Sequence, residues 1–264
     1  MSFGKEYIYR ELKKIDNTLD ETIKLYLIGG GNMSLLGLKD ATRDIDIILN
    51  EEDEMTILKD ALLECGYEEK YLPAYQKMGS RLVMENKDGF RWDVFIKVVC
   101  HGLILSPNMM NRCTEMKFDF KNLKLFLLSK EDVFLFKGIT ERERDLEDMH
   151  TLFLQGLDFE IIKDEIKWQS ENSNIAWIAY LFQRLTKLQD EYGIVIPNIK
   201  EIEELAEEDA AISLILEKLS RKNYTIEELA KEMKQDESWI KKLIQKLEKK
   251  GKIKLNENTI TRKE

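Results

Sequence analysis

The chain has 264 residues, of which 43% are hydrophobic and 34% charged, with 3 prolines and 3 cysteines. This composition excludes collagen-like, low-complexity and wholly disordered proteins. No apolar run reaches the roughly 18 residues of a membrane span, and the first residues lack the apolar stretch of a signal peptide. Because the cysteines show no Cys-x-x-Cys spacing, they indicate neither a disulfide framework nor a zinc site. The sequence therefore predicts a soluble, cytoplasmic protein.

The net charge of -9 is unevenly distributed along the chain. Residues 210–264 contain 14 Lys and Arg against 9 Asp and Glu, whereas residues 1–209 contain 27 against 41. An acidic body with a basic tail suggests two different partner surfaces, and the basic one suits nucleic acid. A Lys-rich helix face that meets only solvent would give the same count, so charge alone leaves both interpretations open.

Short helices and strands alternate in the first part of the chain. A helical stripe over residues 3–19 precedes a strand over Leu25–Ile28 and a glycine-rich turn. A brief helix over Met33–Leu36 and a strand over Asp44–Leu49 follow. The next helix is expected to end at Gly66, which stands where a C-terminal cap belongs.

A hairpin and a helical region come next. Residues 81–85 and 90–98 flank Asn86-Lys87-Asp88-Gly89, which is a strong turn signal. In the second arm, side-chain alternation places Asp93 on the polar face together with Arg91. From Ser129 onward the apolar period is helical. Further helices are expected at about residues 158–170 and 174–192.

The tail has the element order of a winged helix. Thr225 and Glu228 predict a capping box that opens a helix over Ile226–Met233. A second amphipathic helix ends at Gly251, and a small hairpin over residues 253–261 follows. The exposed face of the second helix holds the candidate DNA contacts Ser238, Lys241, Lys242, Gln245 and Lys249. Winged helices also serve as protein-interaction or dimerisation modules, so a homodimer is a second possibility.

The strongest chemical signal is a pair of acids on one strand. Asp44 and Asp46 share a face because the side-chain period of a strand is two. Neighbouring carboxylates repel each other, by about 1 kcal/mol at 4 Å in water and by more in a partly buried site. Magnesium is the natural compensating cation, since it prefers carboxylate oxygens shared with substrate phosphates. Asp93 is a candidate third ligand, although acids on the solvent face of a strand are also common.

These residues resemble a known superfamily. Gly29-Gly30, thirteen further residues, Asp44-Ile-Asp46 and the later Trp92-Asp93-Val94 are similar to the polymerase-β-type nucleotidyltransferases. With Thr42 and a downstream Lys137…Arg144-Asp145…Asp148 pattern, residues 20–155 are more similar still to the toxin-like nucleotidyltransferases of type IV toxin–antitoxin systems. Many relatives carry Arg four residues before the first Asp, where this chain has Asp40. Asp145 and Asp148 are equally compatible with a solvated helix face.

The resemblance implies a set of roles. Asp44, Asp46 and Asp93 would be catalytic and would bind Mg²⁺, as two ions roughly 3.5–4 Å apart. Asp93 would also orient or deprotonate an acceptor hydroxyl, which attacks the α-phosphorus of an NTP while pyrophosphate leaves. The residues expected to bind the nucleotide are Gly29, Gly30, Asn32, Ser34, Thr42, Lys137, Arg144, Asp145 and Asp148.

The sequence as a whole predicts an α+β protein. A short mixed sheet flanked by helices, in the nucleotidyltransferase fold, would span residues 1–155. A helical region and linker would span 156–208, and a winged helix-turn-helix domain 209–264. The main functional hypothesis is Mg²⁺-dependent transfer of NMP to RNA, protein or a small molecule. The alternative is an antitoxin-like DNA-binding regulator whose nucleotidyltransferase-fold domain only senses a nucleotide.

Overall fold

The computed structural model describes residues 2–71, 79–99, 102–140, 142–173, 175–256 and 259–263. The chain divides into two compact units, Met1–Gln169 and Ser170–Glu264. This division differs from the expected boundaries after residues 155 and 208. Within the described residues, no helix is both long enough and apolar enough to cross a membrane.

A mixed β-sheet forms the centre of the first unit. Its described strands are β1 (Ile23–Ile28), β2 (Asp44–Leu49), β3 (Glu68–Glu69), β4 (Leu82–Glu85), β5 (Arg91–Ile96), β6 (Val98–Val99), β7 (Leu103–Ile104), β8 (Thr114–Glu115) and β9 (Leu123–Leu127). Their order is β3-β4-β5-β2-β1-β9-β8, with β6 paired to β5 and β7 paired to β6. β2 is parallel to β5 and antiparallel to β1, and β1 is parallel to β9. The prediction of an α+β fold with a mixed sheet is confirmed.

Helices flank this sheet. Those in the described residues are α1 (Lys5–Thr18), α2 (Gly29–Leu35), α3 (Glu52–Glu64), α4 (Pro107–Arg112), α5 (Lys130–Gly138), α6 (Glu143–Phe153) and α7 (Phe159–Glu171). The stripe predicted for the first helix is buried: Leu12 of α1 joins Leu58 of α3 and Trp92 of β5 in one apolar core. Burial of such side chains stabilises the unit by about 1.5–3 kcal/mol each.

Two elements differ from the sequence-based expectation. The short helix α2 begins at Gly29 rather than at Met33, so the glycine run forms its first turn. The second arm of the hairpin ends at Ile96, because Lys97 adopts a left-handed conformation with φ of 56°. The chain then folds back so that Val98 pairs with Ile96. Both differences depend on backbone conformations that hydrophobic periodicity does not report.

The second unit is helical with one hairpin. It contains α8 (Trp177–Tyr192), α9 (Ile199–Arg221), α10 (Ile226–Met233), α11 (Glu237–Lys249), β10 (Ile253–Asn256) and β11 (Thr259–Arg262). The capping box of Thr225 and Glu228 is present as predicted. The apolar stripe of α11 packs against α9, α10 and the hairpin in a separate core. The expected boundary after residue 208 falls inside α9, which is continuous.

A buried acid ties the first helix to the sheet. Asp16 of α1 is 2% exposed and accepts hydrogen bonds from the backbone N–H groups of Lys121, Asn122 and Leu123, at 2.8–3.0 Å. Burial by itself raises the pKa of Asp16, but these donors and Lys13 outweigh it and hold the pKa below its ordinary value. The ionised form is therefore the one that the fold stabilises.

This contact predicts a pH-dependent stability. Because the pKa of Asp16 is lower in the folded than in the unfolded chain, its contribution is present above about pH 4 and is lost as the pH falls through the folded-state pKa. We expect Asp16→Asn to lower the free energy of unfolding at neutral pH by about 1–3 kcal/mol, and by less in acid. Urea denaturation at several pH values measures this difference.

Asp20 provides the matched control for this change. It is an exposed acid just beyond α1, and Asp20→Asn is expected to change stability by no more than about 0.5 kcal/mol. Equal losses in the two variants, or a loss for Asp16→Asn that does not depend on pH, would contradict the assignment.

Candidate functional site

Three carboxylates lie side by side on neighbouring strands. Asp44 and Asp46 share one face of β2, and β5 places Asp93 directly opposite Asp46. Asp93 is 1% exposed, whereas Asp44 and Asp46 are half-buried. All three line one cleft that lies entirely within the first unit. The structure thus brings together the three acids that the sequence proposes as catalytic and metal-binding residues.

Burial in the cleft changes the pKa values of two of these acids, Asp46 and Asp93. Burial, together with the charges of Asp44 and Asp93, raises the pKa of Asp46 well above its ordinary value. Burial also raises the pKa of Asp93 to about 6, although the adjacent Arg91 opposes this shift. Because the charges of Asp44 and Asp93 are part of the cause for Asp46, the three acids together create a negative field in the cleft. Such a field attracts a cation to the cleft.

Arg91 contacts two of the three acids directly. Its Nε donates to Oδ1 of Asp93 at 3.0 Å, and its Nη2 forms an ion pair with Asp44. The contact arises from the strand register, because Arg91 lies directly opposite Asp44 and two residues before Asp93. Side-chain alternation alone places Arg91 on the polar face but does not identify its partners.

The donor chemistry fits Mg²⁺, which prefers carboxylate oxygens. The arrangement of the side chains, however, does not leave these oxygens free for a cation. Among the residues that the structure describes, no three His, Cys, Asp or Glu side chains are grouped so that they would hold a metal ion. The three acids are thus a donor set that suits Mg²⁺ by its chemistry but is not arranged around a metal position, and the guanidinium of Arg91 engages the oxygens of two of them.

The glycines of α2 allow close packing against β2. Gly29 has φ of 65°, and a Cβ added there would overlap the carboxylate of Asp46. A Cβ on Gly30 would lie 2.8 Å from Oγ1 of Thr42, and Gly30 and Thr42 both line the cleft. The Thr42 hydroxyl donates to the backbone carbonyl of Asp44 at 2.9 Å. The glycines thus bring the backbone of α2 next to the carboxylates.

The downstream helical motif forms an ion-pair network in the same cleft. Lys137 of α5 pairs with Asp145 at 2.7 Å and with Asp148 at 2.8 Å, and Asp148 also pairs with Lys39 at 2.7 Å. Burial favours neutral Lys137, but the two carboxylates outweigh it and raise its pKa. Asp145 and Asp148 are 3% and 7% exposed, so they do not form a solvated helix face. Arg142 pairs with Asp145 at 2.7 Å.

Two exposed cations complete the cleft lining. Arg43 precedes Asp44, and Arg144 lies on α6. Neither forms an ion pair or a hydrogen bond with any residue that the structure describes. Cations that are available in this way suit the phosphate groups of an anionic ligand. Of the cleft residues, sequence reasoning assigned no role to Lys39, Arg43, Arg91, Phe95 and Arg142.

Gly29, Asn32 and Ser34 are the expected nucleotide contacts that do not line the cleft; Gly29 packs against Asp46, and the other two are placed differently. Both are buried in α2 and are absent from the cleft lining. The amide of Asn32 donates to the backbone carbonyls of Leu27 at 2.7 Å and Leu128 at 3.3 Å, which fixes α2 to the ends of two strands. The structure gives Asn32 an architectural role and brings neither side chain to the cleft.

The second unit presents a separate charged surface on α11. Ser238, Lys241, Lys242, Gln245 and Lys249 are all exposed, as the apolar stripe predicts. Lys241, Lys242 and Lys249 have no ion-pair or hydrogen-bond partner in the described part of the chain. Lys246 on the same helix pairs with Glu208 at 2.8 Å, and the Ser238 hydroxyl donates to Asp236. Within the described residues, these three lysines are therefore available to an external anion.

The cleft and the fold agree with the family comparison. A family model described as a nucleotidyltransferase of unknown function (DUF6036) matches residues 6–187, which is more than half of the chain. The chain belongs to this nucleotidyltransferase family. The match includes every residue of the carboxylate cleft and ends before the tail.

A solved structure is also similar. It is an antigenic nucleotidyltransferase-like protein from Paracoccidioides brasiliensis, with a TM-score of 0.46 and 14% sequence identity over 78% of this chain and 95% of that chain. No curated protein matches the sequence.

Proposed function

We propose that the protein is a Mg²⁺-dependent nucleotidyltransferase that transfers NMP from an NTP to an acceptor. One observation carries the proposal: three adjacent carboxylates line the same cleft as Arg43 and Arg144, two arginines that have no partner among the described residues. The carboxylates suit a divalent cation and the arginines suit phosphates, so the cleft is matched to a metal-bearing polyphosphate.

Each group in the cleft has a proposed task. Asp44, Asp46 and Asp93 would hold Mg²⁺, which when bound supplies electrostatic stabilisation of the attacking and leaving oxygens. Asp93, which lies directly opposite Asp46, would also orient or deprotonate the acceptor hydroxyl. Arg43 and Arg144 would bind phosphate oxygens, and Gly30 would allow the backbone to approach them. Lys137, held by Asp145 and Asp148, would add fixed positive charge.

The toxin-like type within this superfamily is part of the same proposal. It is supported by the pairing of Lys137 with both acids of the downstream motif. The acceptor is left open among RNA, protein and small molecules. Incubation with each labelled NTP, Mg²⁺ and fractionated cell extract tests the activity. Label in one fraction would identify the acceptor class, and absence of transfer from all four NTPs to any fraction would reject the proposal.

The alternative is that the cleft binds a nucleotide without transferring it. In that case the protein would be a regulator that reports nucleotide binding to a DNA-binding tail. The complete set of carboxylates favours the enzyme, because binding alone does not require three adjacent acids. Calorimetric binding of an NTP with Mg²⁺, combined with no transfer to any extract fraction, would favour the regulator.

We also propose that residues 209–264 form a winged helix that binds duplex DNA through α11. The element order and the three unpaired lysines of this helix support the proposal. We expect Lys242→Ala and Lys249→Ala each to weaken binding to all sequences and to flatten the salt dependence by about one unit of slope. Changes at Gln245 or Ser238 should alter sequence preference instead. Fluorescence anisotropy of the full chain on random duplexes at increasing salt measures both effects.

Lys246→Ala is the matched control on the same helix, because Lys246 is held by Glu208. It should leave both the affinity and the salt slope close to those of the wild type. If the full chain does not bind DNA at low salt, or if Lys242→Ala and Lys249→Ala leave DNA binding unchanged, the tail is instead a protein-interaction or dimerisation module.

A further inference from the structure

Arg91 occupies an unusual position within the carboxylate cluster. Its guanidinium bridges strands β2 and β5 by pairing with Asp44 on one strand and Asp93 on the other. The side chain of Arg91 is 15% exposed, and that of Asp93 is 1% exposed. An ion pair in such a protected position is screened much less by solvent and salt than a surface pair.

The other cations of the cleft are differently engaged. Lys137 and Arg142 pair with acids of α6, and Arg43 and Arg144 have no partner within the described residues. Arg91 instead pairs with two of the three acids that would bind the metal. Arg91 therefore contacts oxygens of two carboxylates that a divalent cation in the cleft would also use.

We propose that Arg91 is a built-in competitor for the divalent cation, which enters the carboxylate site only by displacing the guanidinium. This inference rests on the proposed function of the three acids and adds a control on that site. In the absence of metal, Arg91 neutralises Asp44 and Asp93 and keeps the cluster folded. When the guanidinium occupies the site for most of the time, the observed metal affinity is lower than the intrinsic affinity. It is the intrinsic affinity multiplied by the fraction of time for which the site is open.

Metal binding to the full chain tests this competition without any assay of activity. Free Mn²⁺ is measured by electron paramagnetic resonance, and only the binding that Asp46→Asn abolishes is counted. We expect Arg91→Met to raise the Mn²⁺ affinity about tenfold or more relative to wild type. Arg43→Met is the matched control, because it removes the same charge from the same cleft without freeing a carboxylate. Its effect should be about threefold or less at physiological salt.

A second measurement covers the case in which Arg91→Met does not fold. In the wild type, the Nε–H of Arg91 gives a side-chain nitrogen resonance in the NMR spectrum. The resonance is assigned to Arg91 because it is missing from the spectrum of Arg91→Lys. Adding Mg²⁺ should shift this resonance and accelerate its hydrogen exchange, because the bond to Asp93 is lost.

Three outcomes would overturn the inference. They are equal gains in affinity for the Arg91 and Arg43 variants, metal binding that leaves the Arg91 resonance unchanged, and no Mn²⁺ binding to a folded Arg91→Met protein. The proposed transfer reaction is judged separately, by label transfer in the wild type. Transfer by a protein whose Arg91 does not respond to metal would reject the competition and keep the enzyme.

Discussion

Replacing Asp46 with Asn is expected to abolish measurable nucleotidyl transfer while leaving the protein folded. Asp46 lies between the other two acids, opposite Asp93 on the neighbouring strand and two residues from Asp44. Burial, together with the charges of Asp44 and Asp93, raises its pKa, and as a carboxylate it would be one of the ligands of the cation. Loss of an electrostatic contact of this kind costs about 10²–10³-fold or more in rate. Steady-state transfer from labelled NTP to the identified acceptor fraction measures the loss.

The stability of Asp46→Asn should not fall together with its activity. An amide removes one negative charge from a crowded cluster, so the free energy of unfolding should stay the same or rise slightly. Asp40→Asn is the control, because Asp40 is an exposed acid in the loop before β2 that does not line the cleft. It should keep nearly full activity. Comparable activity in wild type and Asp46→Asn would remove the carboxylates from the mechanism.

Local signals were sufficient to predict several elements with their bounds. β2 over Asp44–Leu49 and α10 over Ile226–Met233 have the observed limits. In both cases the information is contained in neighbouring residues: alternation in the strand, and the capping box of Thr225 and Glu228 in the helix. The joint placement of Asp44, Asp46 and Asp93 also followed from alternation once the two strands were known to pair.

The remaining features depend on contacts between distant parts of the chain. Arg91 reaches Asp44 only because β2 and β5 are parallel neighbours in one register, and alternation within a strand does not define that register. The amide of Asn32 is buried because it bonds to Leu128, a residue far along the chain. A nucleotide contact and a buried structural amide cannot be distinguished from residue type alone.

The start of α2 at Gly29 also depends on a contact between distant parts of the chain. A change at this residue is the second prediction with a large expected effect. Gly29 combines two constraints: a φ of 65°, which L side chains rarely adopt, and immediate contact with the carboxylate of Asp46. We expect Gly29→Ala to lower the free energy of unfolding by about 1–2 kcal/mol through backbone strain. Overpacking against Asp46 should add about 1–3 kcal/mol.

Gly37→Ala separates these two contributions. Gly37 has φ of 77° at the end of the α2 region, but a Cβ there would meet nothing within 4 Å. Gly37→Ala should therefore lower the free energy of unfolding through backbone strain alone, by about 1–2 kcal/mol, and should leave transfer activity intact. Gly29→Ala should in addition displace Asp46 and reduce transfer at a temperature where the variant is still folded. Urea denaturation and the transfer assay on both variants distinguish the two effects. If the variants lose equal stability and keep equal activity, the glycine serves only the backbone turn, and its packing against Asp46 does not position the carboxylate.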